Sequence, residues 1–139
     1  MRSEDHEIIR SKVRRLMILP LLILSLTITG CGESYSHMTQ EEAQKFINSN
    51  PDAIILDVRT PEEYERKHIP NAILIPIDDL RQGDFSKLPD KNQTILIYCW
   101  TGRRAEDAAI ILVEHGYTKV YEFGGLVDWT GSVTGTDIE

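Results

Sequence analysis

Apolar side chains in this chain follow two rhythms, and the changes between them mark the elements. Ile54-Ile55-Leu56-Asp57-Val58 and Ile95-Leu96-Ile97-Tyr98 are short runs rich in β-branched residues with little polar alternation. That is the pattern of strands buried on both faces. Ala72–Ile75 and Val120–Phe123 read as two more strands. Helical spacing fills the intervals. Thr39-Gln40-Glu41-Glu42 is a capping box, in which Thr39 accepts from the N3 amide and Glu42 reaches back. Ala43, Phe46 and Ile47 follow, and Asn50-Pro51 ends that helix. Thr60-Pro61-Glu62-Glu63 repeats the device with proline at the first helical position, opening a short helix to about Arg66. From Arg104 to His115, Ala105, Ala108, Ala109, Ile111 and Leu112 give a broad apolar face, and Gly116 is a stop. Gly124-Gly125 is expected to turn the chain into a short piece ending at Trp129, and the polar tail Thr130–Glu139 to fray. Strands alternating with helices predict an α/β domain whose mainly parallel sheet is covered on both faces. Ligands bind such sheets at the carboxyl ends of the strands. Cys99 stands at one of those ends.

The first thirty residues do not belong to that pattern. Leu16 to Ile28 is an uncharged apolar stretch of thirteen residues behind a basic segment. A membrane-spanning helix needs about 20, so the stretch reads as the core of an export signal. It ends Ile28-Thr29-Gly30-Cys31, which resembles the bacterial lipobox. The resemblance implies cleavage before Cys31 and lipidation of its sulfur, with two or three acyl chains giving stable anchoring. The alternative is an uncleaved signal anchor with an incidental Cys31. The expected organisation is therefore a leader over 1–30, a lipidated cysteine and tether over 31–34, a domain over 35–130 and a polar tail over 131–139. The expected location is the bacterial cell envelope, outside the cytoplasm and held to a membrane.

Charge changes the picture in one respect. The formal net charge of the 139 residues is -7. Residues 1–15 hold five basic and three acidic side chains, so the remainder carries -9. An acidic body argues against nucleic acid as a partner. It accepts a small anion only where a local positive site works against the global field. The histidines His6, His37, His68 and His115 have no metal-binding spacing, and no cofactor is expected. The cysteines Cys31 and Cys99 are a formal disulfide pair, but their surroundings suggest separate tasks.

The positive site is at Cys99. The chain must pass from a buried strand to a helix through Cys99-Trp100-Thr101-Gly102-Arg103-Arg104. Gly102 permits the backbone angles of so sharp a turn. Successive amides in the turn form an anion-binding nest, and the helix dipole adds partial positive charge. Arg103 and Arg104 add two full charges. A thiolate held there is stabilised. Trp100 either shapes the mouth of the site or is a surface aromatic. Arg59 either binds substrate or belongs to a buried structural ion pair, and Asp57 reads as structural. His68 is a candidate base, or serves loop backbone groups beside Ile69-Pro70. Trp129 reads as core.

Several blocks together resemble a single-domain rhodanese: Leu56-Asp57-Val58-Arg59, Glu62-Glu63-Tyr64, His68-Ile69-Pro70-Asn71-Ala72, Tyr98-Cys99-x-x-Gly102-x-Arg104, Gly124-Gly125 and Trp129. They occur in order from about Tyr35 to Trp129. The resemblance implies a three-layer α/β/α domain and a sulfurtransferase in which Cys99 carries sulfane sulfur as a persulfide. It implies Trp100, Thr101, Gly102, Arg103 and Arg104 as the cradle for a sulfur-containing anion, with Arg59 a further candidate. The implied acceptor is cyanide or a thiol. Related phosphatases enclose phosphate in a C-x5-R loop, one residue longer than Cys99–Arg104, and no Asp or Glu in this loop offers a general acid. A mercaptopyruvate donor is disfavoured, since loops of that subfamily begin Cys-Gly-Ser-Gly where this one has Trp100-Thr101. A membrane-held persulfide carrier or thiol sensor is the alternative to turnover of thiosulfate.

Overall fold

The computed structural model describes residues 34–137; the leader, Cys31 and most of the tether lie outside the described residues. The elements are β1 (Ser36–His37), α1 (Gln40–Ser49), β2 (Ile54–Asp57), α2 (Pro61–Arg66), β3 (Ile73–Leu74), α3 (Ile77–Arg81), β4 (Ile95–Cys99), α4 (Arg103–Glu114) and β5 (Val120–Gly125), then a 3-10 turn at Leu126–Asp128. All strand pairings are parallel, in the order β1-β5-β4-β2-β3. The expected three-layer α/β/α domain is the observed one.

Strand alternation divides the core in two. From β4, Ile95, Ile97 and Cys99 pack with Leu80 of α3 and with Ala105, Ala108, Ala109 and Leu112 of α4. Leu96 and Tyr98 pack on the opposite side, with Ala43, Phe46 and Ile47 of α1, Tyr64 of α2 and Phe123. Successive side chains of a strand point to opposite faces, so a central strand covered twice must be apolar at every position. All five residues of β4 are buried, each large one worth roughly 1.5–3 kcal/mol. The alanines of α4 let that helix lie close to the sheet, and this fixes where its N-terminus begins.

Four features differ from the sequence expectation. The edge strand β1 is two exposed polar residues with no pattern to announce it; its register comes from pairing with Tyr121 and Glu122. Helix α3 is five residues long, too short for a helical period to show. β5 runs through Gly124-Gly125 rather than turning there. The tail does not fray through Asp137. His68 and Thr134 exchange backbone hydrogen bonds of 2.7 and 2.8 Å. The amides of Thr136 and Asp137 donate to the carbonyls of Glu65 and Arg66 at 3.0 and 2.9 Å. Those carbonyls are among the groups that the end of a helix leaves unpaired, so the tail completes α2. Gly135 has a φ of +143°, and a Cβ there would lie 2.3 Å from the Arg66 carbonyl oxygen.

Beneath the carboxyl end of β2 lies a buried ionic cluster. Arg59, 2% exposed, donates through Nε to both Asp57 carboxylate oxygens at 2.9 and 3.1 Å. Its Nη2 donates to Asp57 at 2.7 Å and to the Lys67 carbonyl at 2.6 Å. Burial opposes the Arg59 charge, but the hydrogen bond and field of Asp57 outweigh it and raise its pKa. The guanidinium stands 5.7 Å from the centre of the Tyr98 ring. Burial, then the neighbouring Asp57, hold the Tyr98 hydroxyl well above its ordinary range. This cluster fixes the loop that carries α2. Removing one partner leaves a buried charge unpaired, so Asp57→Ala should destabilise the domain by about 3–5 kcal/mol in urea unfolding. The double change Asp57→Leu with Arg59→Met should lose less than the sum of the two single changes; strict additivity would remove the pair as a unit.

Candidate active site

The site forms where β4 stops and α4 starts. The register of β4 with β5 shifts between Ile97 and Cys99, which brings Cys99 opposite Gly125. Three residues then reverse the chain before α4 opens at Arg103. They lie directly on the end of β5. A Cβ on Gly125 would fall 2.2 Å from the Trp100 carbonyl oxygen and 2.6 Å from the Thr101 Cα. Gly102 has a φ of +103°, and a Cβ there would stand 3.2 Å from the Gly124 Cα. The Val127 amide donates to the Trp100 carbonyl at 3.1 Å. Gln40 donates through Nε2 to the Gly125 carbonyl at 2.6 Å. The Gly124 amide donates to buried Glu122 at 3.1 Å, and Glu122 also bonds the His37 imidazole. The loop thus rests on a backbone floor that is itself tied down.

Cys99 is 1% exposed. Its Sγ accepts a hydrogen bond from the Gly102 amide at 3.0 Å. Helix α4 has Gly102 as N-cap and no capping side chain. α1 and α2 are instead closed by complete capping boxes at Thr39–Glu42 and Thr60–Glu63. The first-turn amides of α4 are therefore free of the competition that seals the other two, and an uncapped N-terminus is an anion site.

The structure sorts the predicted site residues. Arg104 gives both terminal nitrogens to Glu63, at 2.7 and 2.8 Å. That hydrogen bond is the main reason its pKa is raised, with a smaller contribution from Cys99. Glu63 is held down to about 2, first by Arg104, against the opposing effect of burial, and then by the Thr60 amide. One carboxylate therefore caps α2 and holds the cation beside Cys99. Arg103 and Thr101 are exposed, and Trp100 is 43% exposed at the rim. A cavity of about 370 Å³ is lined by Arg59, Glu63, Arg66, Lys67, Trp100 and Asp137. Arg59 and Trp100 thus share one wall system, although the Nε and Nη2 groups of Arg59 are already spent on Asp57 and Lys67. His68 uses Nδ1 on the Tyr64 carbonyl at 2.6 Å and stacks on the Tyr64 ring, which is the backbone role. Trp129 is half-buried against Phe123, 5.5 Å between ring centres.

Glu63, Arg66, Lys67 and Asp137 were not among the residues the sequence nominated. Glu63 had a signal, since it belongs to both a capping box and the Glu62-Glu63-Tyr64 block. Arg66 and Lys67 look like ordinary end-of-helix cations, and Asp137 had no signal at all. Among the described residues no cluster of three His, Cys, Asp or Glu side chains is placed to hold a metal.

Comparison with known proteins agrees with this geometry. The profile of the rhodanese-like domain matches residues 39–132. Thiosulfate sulfurtransferase PspE of Escherichia coli is 44% identical over 73 residues, 52% of this chain and 70% of that protein. Thiosulfate sulfurtransferase GlpE of Coxiella burnetii is 33% identical over 96 residues, 68% of this chain and 87% of that protein. The putative sulfur carrier protein YrkF of Bacillus subtilis is 35% identical over 101 residues, which cover 72% of this chain and 54% of that protein. Among solved structures, a rhodanese with anions from E. coli superposes with a TM-score of 0.56 at 38% identity, over 60% of this chain and 99% of that one. The rhodanese-like domain of the Anabaena Alr3790 protein gives 0.64 at 27% identity, over 76% and 81%. By motif order, architecture and family profile alike, this chain belongs to the rhodanese-like family.

Proposed function

We propose that this protein is a sulfurtransferase that moves a sulfane sulfur from thiosulfate through a Cys99 persulfide to cyanide or a thiol. The observation that carries the reading is the Cys99 sulfur at the foot of a six-residue loop, hydrogen-bonded to the Gly102 amide and facing a helix N-terminus with no capping side chain. In the first half, the Cys99 thiolate attacks the outer sulfur of thiosulfate. The bond between the two thiosulfate sulfurs breaks, its electron pair leaves with sulfite, and Cys99 keeps the transferred sulfur. In the second half a nucleophile removes that sulfur and the thiolate returns. The amides of the loop and of the first turn of α4 hold the charge of donor and leaving group. Trp100, Thr101, Gly102, Arg103 and Arg104 form the cradle in this reading, with Arg59 in the adjoining wall. The likeness to PspE and GlpE, both named thiosulfate sulfurtransferases, supports it.

A carrier role without thiosulfate turnover is the second reading, favoured by the 35% identity to the protein named a putative sulfur carrier. The protein is further proposed to act at the bacterial cell envelope, outside the cytoplasm, held to a membrane by lipid on Cys31. The lipobox-like Ile28-Thr29-Gly30-Cys31 supports that part.

The Glu63–Arg104 pair gives the site its acid limit. The folded carboxyl is held at about 2 against an ordinary 4.5. A depressed carboxylate contributes stability that is whole above the unfolded value and disappears as pH falls through the folded one. The contribution is thus complete above about pH 4.5 and lost toward pH 2.

Thiosulfate and cyanide together should yield thiocyanate, and Cys99→Ser should reduce the rate to background. Intact mass after thiosulfate treatment should rise by one sulfur atom on Cys99. An adduct without thiocyanate turnover would select the carrier, and phosphate release from aryl phosphates without an adduct would select a phosphatase. Between pH 4.5 and 2, Glu63→Gln should lose urea resistance less steeply than the parent protein; equal slopes would remove the pair as a source of acid sensitivity. In a bacterial host, Cys31→Ser should move the protein out of the membrane fraction, and retention with the leader uncut would refute the anchor.

A further inference from the structure

The charges around the cavity fall into two groups. Arg59 is neutralised by Asp57, and Glu63 by Arg104. Three charged groups in the wall have no salt-bridge partner among the described residues: Arg66, Lys67 and Asp137. Arg66 contributes in a small way to lowering the pKa of exposed Glu62, one turn earlier on its own helix, but forms no salt bridge with it. The cavity therefore presents two adjacent cations and one anion, with the exposed indole of Trp100 beside them.

Asp137 is not there by sequence proximity. It arrives on the segment that completes α2, held by its own amide on the Arg66 carbonyl at 2.9 Å and by Thr136 on Glu65 at 3.0 Å. Gly135 makes the approach possible, because any side chain there would strike the Arg66 carbonyl. The same backbone that presents the Arg66 cation thus fixes an anion next to it. At about 370 Å³ the cavity is at the small end of ligand pockets. It has room for a metabolite of amino-acid size beside Trp100, the residue that follows Cys99, and beside Glu63, the partner of Arg104.

We infer that the physiological sulfur acceptor is a small zwitterionic thiol, its carboxylate held by Arg66 and Lys67 and its ammonium by Asp137. The inference rests on the sulfurtransferase reading and adds the acceptor class. The acceptor thiolate attacks the outer sulfur of the Cys99 persulfide. The sulfur–sulfur bond to Cys99 breaks, its electron pair returns to Sγ as thiolate, and the acceptor departs as a persulfide. No external oxidant or reductant is needed. Arg66, Lys67 and Asp137 are positioning residues, since none of them touches the reacting sulfurs in this scheme.

The test uses full-length protein in detergent, loaded with one sulfur by thiosulfate and freed of excess donor. Discharge is followed by intact mass against four acceptors: L-cysteine, cysteamine, 3-mercaptopropionate and 2-mercaptoethanol. Each solvated charge pair is worth a few-fold. Asp137→Asn should raise the half-saturating concentration of cysteine and cysteamine about threefold and leave 2-mercaptoethanol unchanged. Arg66→Gln with Lys67→Gln should do the same for cysteine and 3-mercaptopropionate. Asp137→Glu should retain the parent ranking. If the variants shift all four acceptors in parallel, or none, the inference is overturned while the sulfurtransferase reading stands. If no sulfur loads onto Cys99 at all, it is that underlying reading that fails.

Discussion

The rest of the site depends on a contact between two stretches of bare backbone. β4 is buried on both faces to its last residue, yet the chain must leave the sheet at Cys99 and be helical by Arg103. Only Trp100, Thr101 and Gly102 are available for the reversal. A turn that tight has to press into the end of the neighbouring strand, and the neighbour yields space because it ends in Gly124-Gly125. At Gly125 not even a methyl group fits beneath the Trp100 carbonyl. Gln40 of α1 and Glu122 of the same strand then anchor that floor, and Val127 of the 3-10 turn holds the loop to it. The position of Sγ over the first turn of α4 follows from this packing and not from any side chain that grips the cysteine.

A second consequence concerns the origin of the positive potential. Two of the three candidate guanidinium groups are committed elsewhere: Arg59 to Asp57, Arg104 to Glu63. What remains for an anion at the sulfur is the exposed Arg103 and the amides at a helix end that lacks a capping side chain. Dipoles fixed by a fold add no net charge to compete with the acidic body, and they do not reorganise during reaction. Arg104 and Arg59 then act chiefly as braces. Arg104 joins α4 to the capped end of α2, and Arg59 joins β2 to the loop after α2.

How much of this was legible in the sequence follows from the range of each interaction. The buried strands, both capping boxes and the Cys99 turn are written within a few residues, and they fell where the pattern put them. Gly124-Gly125 was noticed but misread as a turn, because a glycine pair in a strand means close approach only once the opposing Trp100 and Thr101 are known. β1 and α3 were missed for brevity. The tail was misread because its polar residues bond through backbone to α2, some seventy positions earlier, and no side-chain pattern records that. The same distance concealed Asp137 as a wall of the cavity. Glu63 was legible as a cap and hidden as a partner of Arg104, since the second role depends on where α4 comes to rest.

The burial of Cys99 sets a steric rule for whatever reacts there. Cys99 is almost wholly shielded, at 1% exposure. A sulfur bonded to it would lie about 2 Å from Sγ. The resting atom is withdrawn, while an added atom would stand a full bond length away from it. Bulky oxidants and alkylating agents that need access to Sγ are kept at a distance, whereas an incoming nucleophile needs to reach only the outer sulfur. If Cys99 carries sulfur, a loaded site would thus differ from an empty one in the depth at which its reactive atom lies.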